Sequence, residues 1–220
     1  MPNQLSPPLS FFPLSLPARL RLFYAPLNME QNTNRQLILA SASARRSKIL
    51  AGLGLSFSVV SPDVEEIVHL NNPEKTVIEN SMLKNEWCRQ RFPDCFIISA
   101  DTIVEFGGRI VTKPESRAEA FEFLRMLSGQ IHRVYTGVAF AKPLTPASAR
   151  VDISHVKFRQ LGDQMINEYI ERVNPMDRAG AYDIDESGDM LVESFTGSRT
   201  NIMGLASETV RELLKPEGLL

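Results

Sequence analysis

The sequence predicts an α/β fold over residues 35–220, a mixed, twisted sheet flanked by helices. Three observations carry that prediction. Two short apolar runs, QLILA (36–40) and FIISA (96–100), read as central strands, and each hands the chain to a polar motif at its carboxyl end. Segments whose apolar residues recur at helical spacing alternate with these strand-like runs. A single Gly-Gly pair between two β-rich stretches supplies a tight hairpin, so antiparallel neighbours join the parallel ones.

Taken in order, Gln36 to Ala40 is the first strand, and Ser43 caps a helix in which Ile49, Leu50 and Leu53 share a face. Gly52 and Gly54 end that helix. SFSVVSP (56–62) alternates as a strand does. Pro73 suits a first helical turn and opens a long helix whose apolar face is expected at Val77, Ile78, Met82, Leu83 and Trp87. FIISA ends in Asp101, and TIVEFGGRIVTK reads as a hairpin about Gly107 and Gly108. If Phe106 faces Arg109, then Thr102 faces Lys113, which brings Lys113 beside Asp101. Ser116 to Leu127 is an amphipathic helix; RVYTGVAFA (133–141) and ARVDISHVKFRQL (149–161) pair as strands across the polar loop 142–149. Asp163 to Val173 is a helix, NPMDRAGAYDIDESGD (174–189) a loop, MLVES (190–194) a short strand, and Ser207 to Leu214 the last helix. No internal repeat is visible.

With 220 residues, 43% hydrophobic and 23% charged, the chain can build a sizeable core and is not disordered as a whole. A net charge of −2 supplies no global field to hold a nucleic acid or an anionic membrane, so neither partner is expected. Cys88 and Cys95 match neither a redox pair nor a zinc knuckle and read as reduced thiols of a cytoplasmic protein. His69, His132 and His155 form no zinc-binding pair. The first 29 residues hold six of the fourteen prolines and no acidic residue, with Arg19 and Arg21 their only charged side chains. Prolines break the pattern of a secretory signal, and residues 1–34 are expected to be a disordered or mis-assigned extension, with Met29 as the natural start.

The chemistry concentrates at the ends of the two apolar strands, where open α/β sheets bind ligands. Ser41 and Ser43, the free N–H groups of the first helical turn, and Arg45 and Arg46 make an anion site suited to phosphate. Asp101, Glu65 and Glu66, Lys84 and Lys113 are the carboxylates and ammonium groups of metal-assisted phosphoryl transfer. Each of these residues by itself is also explained by helix capping, turn formation or a solvated surface. The glycine-rich loops GxGxxG and GxxxxGKS are absent, which excludes a P-loop or a dinucleotide fold.

LILASASARRSKIL (37–50), VEE (64–66), SADTIV (99–104), TKP (112–114), LSGQIHRVYTGVA (127–139) and RAGAYDI (178–184) together resemble the Maf nucleoside triphosphate pyrophosphatases, in that family's order and spacing from about Leu37 to Leu214. The resemblance implies a fold shared with inosine triphosphate pyrophosphatases, a homodimer, and hydrolysis of a nucleoside triphosphate to monophosphate and diphosphate with a divalent cation, Mg²⁺ or Mn²⁺. It implies Asp101 as proton acceptor, Glu66, Lys84 and Lys113 as further catalytic positions, and Asp101 with Glu66 as metal ligands. Ser41, Ser43, Arg45 and Arg46 would hold the phosphates, and Thr102 would be a specificity position. Arg45, Thr102 and AGAY point to the members acting on dTTP and UTP. Asp185 stands where those members carry Gln, so an acceptor-only carboxylate replaces an amide at a substrate-binding position. Purine or 7-methyl-GTP preference, or nucleotide binding without turnover as a division regulator, are the alternatives.

Overall fold

A computed structural model describes residues 36–220, so the extension expected over residues 1–34 lies outside the described residues. In chain order the elements are β1 (Leu37–Ala40), α1 (Ala44–Gly52), β2 (Phe57–Val60), α2 (Pro73–Arg89), β3 (Phe96–Phe106), β4 (Arg109–Val111), α3 (Arg117–Leu127), β5 (Ile131–Ala141), β6 (Ser148–Phe158), α4 (Asp163–Val173), α5 (Gly188–Leu191), β7 (Val192–Thr196), α6 (Arg199–Ile202) and α7 (Ser207–Leu214). Among the described residues the strands form one mixed sheet of seven, ordered β2-β1-β3-β5-β6-β7, with β4 pairing β3 off that path. β1 is parallel to β2 and β3, and the other pairings are antiparallel.

Helix starts follow the caps that the sequence offers. The Ser43 side chain accepts from the N–H of Arg46, Asn72 from that of Lys75 with Pro73 in the first turn, and Ser116 from that of Glu119. One face of the sheet packs against α1, α3, α4 and α7 through a core that includes Leu37, Leu39, Ile98, Leu50, Leu124, Ile166 and Val210. Each such fully buried aliphatic side chain contributes roughly 2 kcal/mol. The other face is covered by α2, against Ile38, Ile97, Ile103 and Tyr135. β5 admits this helix closely at Gly137, where a Cβ would stand 2.3 Å from the Val77 carbonyl oxygen.

Besides the short strand expected at 190–194, which starts only at Val192 after α5 and runs to Thr196, two expectations need correcting. The buried face of α2 is not the apolar series: Thr76, Asn80, Ser81, Lys84 and Asn85 join Val77 and Cys88 inside, while Leu83 is 37% exposed. Lys84 and Asn80 turn inward because they find carboxylate and backbone partners there, which offsets their desolvation. The second correction concerns Asp101, which does not end a strand. β3 runs on to Phe106, and it is the neighbour that stops: β1 pairs with β3 only as far as Ile98, and β4 pairs with it only from Val104 onward. Along that edge residues 99–103 have no strand beside them, whereas β5 pairs with β3 continuously from Ile97 to Glu105. Successive side chains point to opposite faces, so this gap lets Asp101, on the α2 face, and Thr102, on the other, open into one space.

Candidate active site

A cavity of about 870 Å³ occupies the gap, large enough for a nucleotide. Its walls include Ser41, Ser43, Arg45 and Arg46 from the β1–α1 junction, Glu66 from the segment after β2, Lys84 from α2, Asp101 and Thr102 from β3, and Lys113 from beyond β4. Nine of the eleven candidate residues therefore meet, and Glu65 and Asp185 are not in the cavity wall. The hairpin turns as expected, with Phe106 opposite Arg109, but the ladder closes at Val104–Val111, so the expected Thr102–Lys113 pair does not form and Lys113 lines the cavity from beyond the sheet.

At the acidic end, the Lys84 ammonium lies between two carboxylates, 2.7 Å from Asp101 Oδ1 and 2.6 Å from Glu66 Oε1. Burial alone would raise the Glu66 carboxyl, but the Lys84 hydrogen bond and the charges of Lys84, Lys113 and Arg46 hold it below its ordinary range. The second Asp101 oxygen, Oδ2, accepts from the Asn80 amide at 3.1 Å. Among the described residues no group of three or more His, Cys, Asp or Glu side chains is arranged to hold a metal ion. Asp101 and Glu66, joined through Lys84, are hard oxygen donors of the kind that suits a divalent cation completing its shell with water and phosphate oxygens.

At the basic end, the arginines divide the work. Arg46 is built into the floor, donating through Nε to the Gly204 carbonyl at 2.8 Å, through Nη1 to Ser41 Oγ at 3.1 Å and through Nη2 to Thr102 Oγ1 at 3.1 Å. Burial lowers its guanidinium below the ordinary value, against the pull of Asp101. Three of its five N–H groups are thereby used, leaving one on each terminal nitrogen. Thr102 supports Arg46 and is itself held by Thr136 at 3.0 Å. Ser41 also accepts from the N–H of Ser43, which links the strand end to the helix cap. Arg45 projects to the rim, where Nη1 meets Asp183 Oδ2 at 3.3 Å.

Asp185 is the candidate that the fold moves away. It lies outside the cavity wall, with Oδ2 2.5 Å from Lys48 and Oδ1 3.5 Å from Arg199. Asp183 takes the inward place, its side chain 4% exposed, with Oδ2 accepting from Arg178 at 3.0 Å and Oδ1 from the Asp185 N–H at 2.8 Å. The chain bends from Ile184 onward and forms no strand here, so the two acids, two residues apart, part ways: Asp183 turns in to Arg178 and Arg45 and Asp185 out to Lys48. Asn80 lay in no quoted motif, and Arg178, Tyr182 and Asp183, though within RAGAYDI, were not singled out as site residues; all four line the cavity. Asn80 carried one usable signal: it precedes Lys84 by one helical turn and so shares its face.

The family model described as Maf-like protein matches residues 36–217. A dTTP/UTP pyrophosphatase of Thermotoga petrophila is 40% identical over 185 residues, 83% of this chain and 90% of the relative. One from Fusobacterium nucleatum is 39% identical, covering 83% of this chain and 95% of its own length. Among solved structures, the Ham1 protein of Staphylococcus aureus aligns with a TM-score of 0.49 at 14% identity, over 83% of this chain and 99% of that one.

Proposed function

This chain belongs to the Maf-like protein family, and on that premise we propose that it is a nucleoside triphosphate pyrophosphatase acting on dTTP and UTP, releasing diphosphate and leaving the monophosphate. The observation that carries the reading is the Asp101–Lys84–Glu66 cluster facing a phosphate-type anion site across one cavity. In this reading the triphosphate is held by Ser41, Ser43 and the first-turn N–H groups of α1, with Arg45, Arg46 and Lys113 matching its charge. Water attacks the α-phosphorus; the new P–O bond forms as the bond to the bridging oxygen of the diphosphate breaks. Asp101 orients that water and receives its proton, and its own position is held by Lys84 and Asn80. The cationic side chains then stabilise the charge gathering on the departing diphosphate. A divalent cation held by Asp101 and Glu66, Mg²⁺ or Mn²⁺, would supply further positive charge and make the water more acidic.

The test is a nucleotide panel scored for product. Diphosphate from dTTP and UTP in preference to CTP, ITP and 7-methyl-GTP is the expected result, and orthophosphate as the sole product would reject the reaction. Asp101→Asn should fold as the parent does and lose on the order of 10²–10³ in turnover. A folded variant that keeps its rate would remove Asp101 from the role of base.

A further inference from the structure

α2 presents three side chains, one turn apart, that together hold the stretch before it. Thr76 Oγ1 accepts from the His69 N–H at 2.9 Å, Asn80 grips both backbone groups of Ile67, and Lys84 holds Glu66. Residues 61–69 have no strand or helix of their own, so these contacts stand in for a ladder. Asn80 is the centre of the series and is 2% exposed. Its Oδ1 accepts from the Ile67 N–H at 2.8 Å, and its Nδ2 donates both to the Ile67 carbonyl at 3.0 Å and to Asp101 Oδ2 at 3.1 Å.

We propose that Asn80 is a positioning residue of the hydrolytic site, setting both of its carboxylates through one amide: Glu66 by clamping the adjacent Ile67 backbone, and Asp101 by a direct hydrogen bond. The inference rests on the hydrolase reading above. An amide is needed because the place calls for one acceptor and two donors at once. Aspartate there would keep an acceptor for the Ile67 N–H but lose both donors, and it would set a third negative charge against Asp101. Alanine would lose all three bonds and leave the Ile67 N–H and C=O to open to water. Glu66 would then no longer meet Lys84 in one geometry, and displacement of about 1 Å at a reacting group costs on the order of 10²-fold in rate.

The experiment compares the parent chain with Asn80→Ala and Asn80→Asp, in two measurements on the folded, full-length protein. Steady-state diphosphate release from dTTP and UTP should show kcat on the order of 10²-fold lower for Asn80→Ala and lower still for Asn80→Asp, with KM within about threefold. Hydrogen exchange of the peptide spanning 64–70 should be roughly tenfold faster in Asn80→Ala, as loss of hydrogen bonds to the Ile67 backbone requires. Asn80→Asp retains one of those bonds and should lie between. A kcat within twofold of the parent, unchanged exchange, or a loss confined to KM would each overturn the proposal. If the parent itself releases no diphosphate, the hydrolase reading fails, and the exchange measurement alone still decides whether Asn80 clamps the segment.

Discussion

Acid should destabilise this fold through His132, and the size of the effect follows from where the ring sits. His132 is 1% exposed on β5, edge-on to Phe158 at 4.8 Å and to Tyr182 at 5.3 Å, with Nε2 2.9 Å from the Tyr182 hydroxyl. Its Nδ1 has no hydrogen-bond partner among the described residues. Burial pushes the imidazole down to about 4, against a weaker upward pull from Glu105. Because the folded value lies below the unfolded one near 6.5, the unfolded chain takes up the proton first. The stabilisation is therefore complete above pH 6.5 and is lost as pH falls through about 4. The full loss is about 3 kcal/mol, of which about 2 kcal/mol is gone by pH 5, a sizeable part of a typical folding free energy. Urea denaturation of the parent and of His132→Phe at pH 8, 7, 6 and 5 tests this. At pH 8 the variant should be less stable by about 1 kcal/mol, since the Tyr182 hydroxyl loses its partner. By pH 5 the order should reverse, because only the parent has paid the protonation of an unfolded histidine. Two curves that stay parallel within about 0.5 kcal/mol would refute the assignment, since His132 would then bind protons equally in both states. Tyr182 lines the cavity, so the same acid loss should loosen the wall of the site.

Gly137→Ala should cost about 1–3 kcal/mol or more and lower kcat as well, because the added carbon meets the Val77 backbone and displaces the helix that carries Asn80 and Lys84; thermal denaturation with a turnover assay checks both. Asp183→Asn removes a buried acceptor of Arg45 and Arg178 and should destabilise by about 2 kcal/mol. Asp185→Asn, at a side chain 31% exposed with exposed partners, should change stability by under about 1 kcal/mol, and equal losses in the two variants would contradict the inward placement of Asp183. Lys113→Ala should raise KM for the triphosphate on the order of tenfold at low salt, with the difference shrinking as ionic strength rises; a salt-independent KM would argue against a charge contact.

Much of this protein was legible in its sequence because the relevant forces act over a turn or a pleat. Ser43 caps the helix it precedes, α4 and α7 keep their expected bounds of Asp163–Val173 and Ser207–Leu214, and the Gly107–Gly108 turn sets the expected hairpin register, Phe106 opposite Arg109. Each depends on neighbours a few residues away, whose identities the chain displays directly. The Ser41–Arg46 motif was legible for the same reason, as a short string joining the end of β1 to the start of α1.

What the sequence did not determine depends on surfaces brought together from distant positions. Apolar spacing pointed to Leu83 as part of the buried face of α2, but the face that packs inward is the one whose polar groups find the Ile67 backbone, Asp101 and Glu66. Likewise Asp183 and Asp185 are equivalent as letters, and their roles separate only because the bend they lie in turns one to Arg178 and Arg45 and the other to Lys48. The gap between β1 and β4 that makes the cavity belongs to no segment at all. It exists because two strands far apart in the chain each cover a different length of β3, so tertiary pairing, not local preference, decides where water and phosphate can enter.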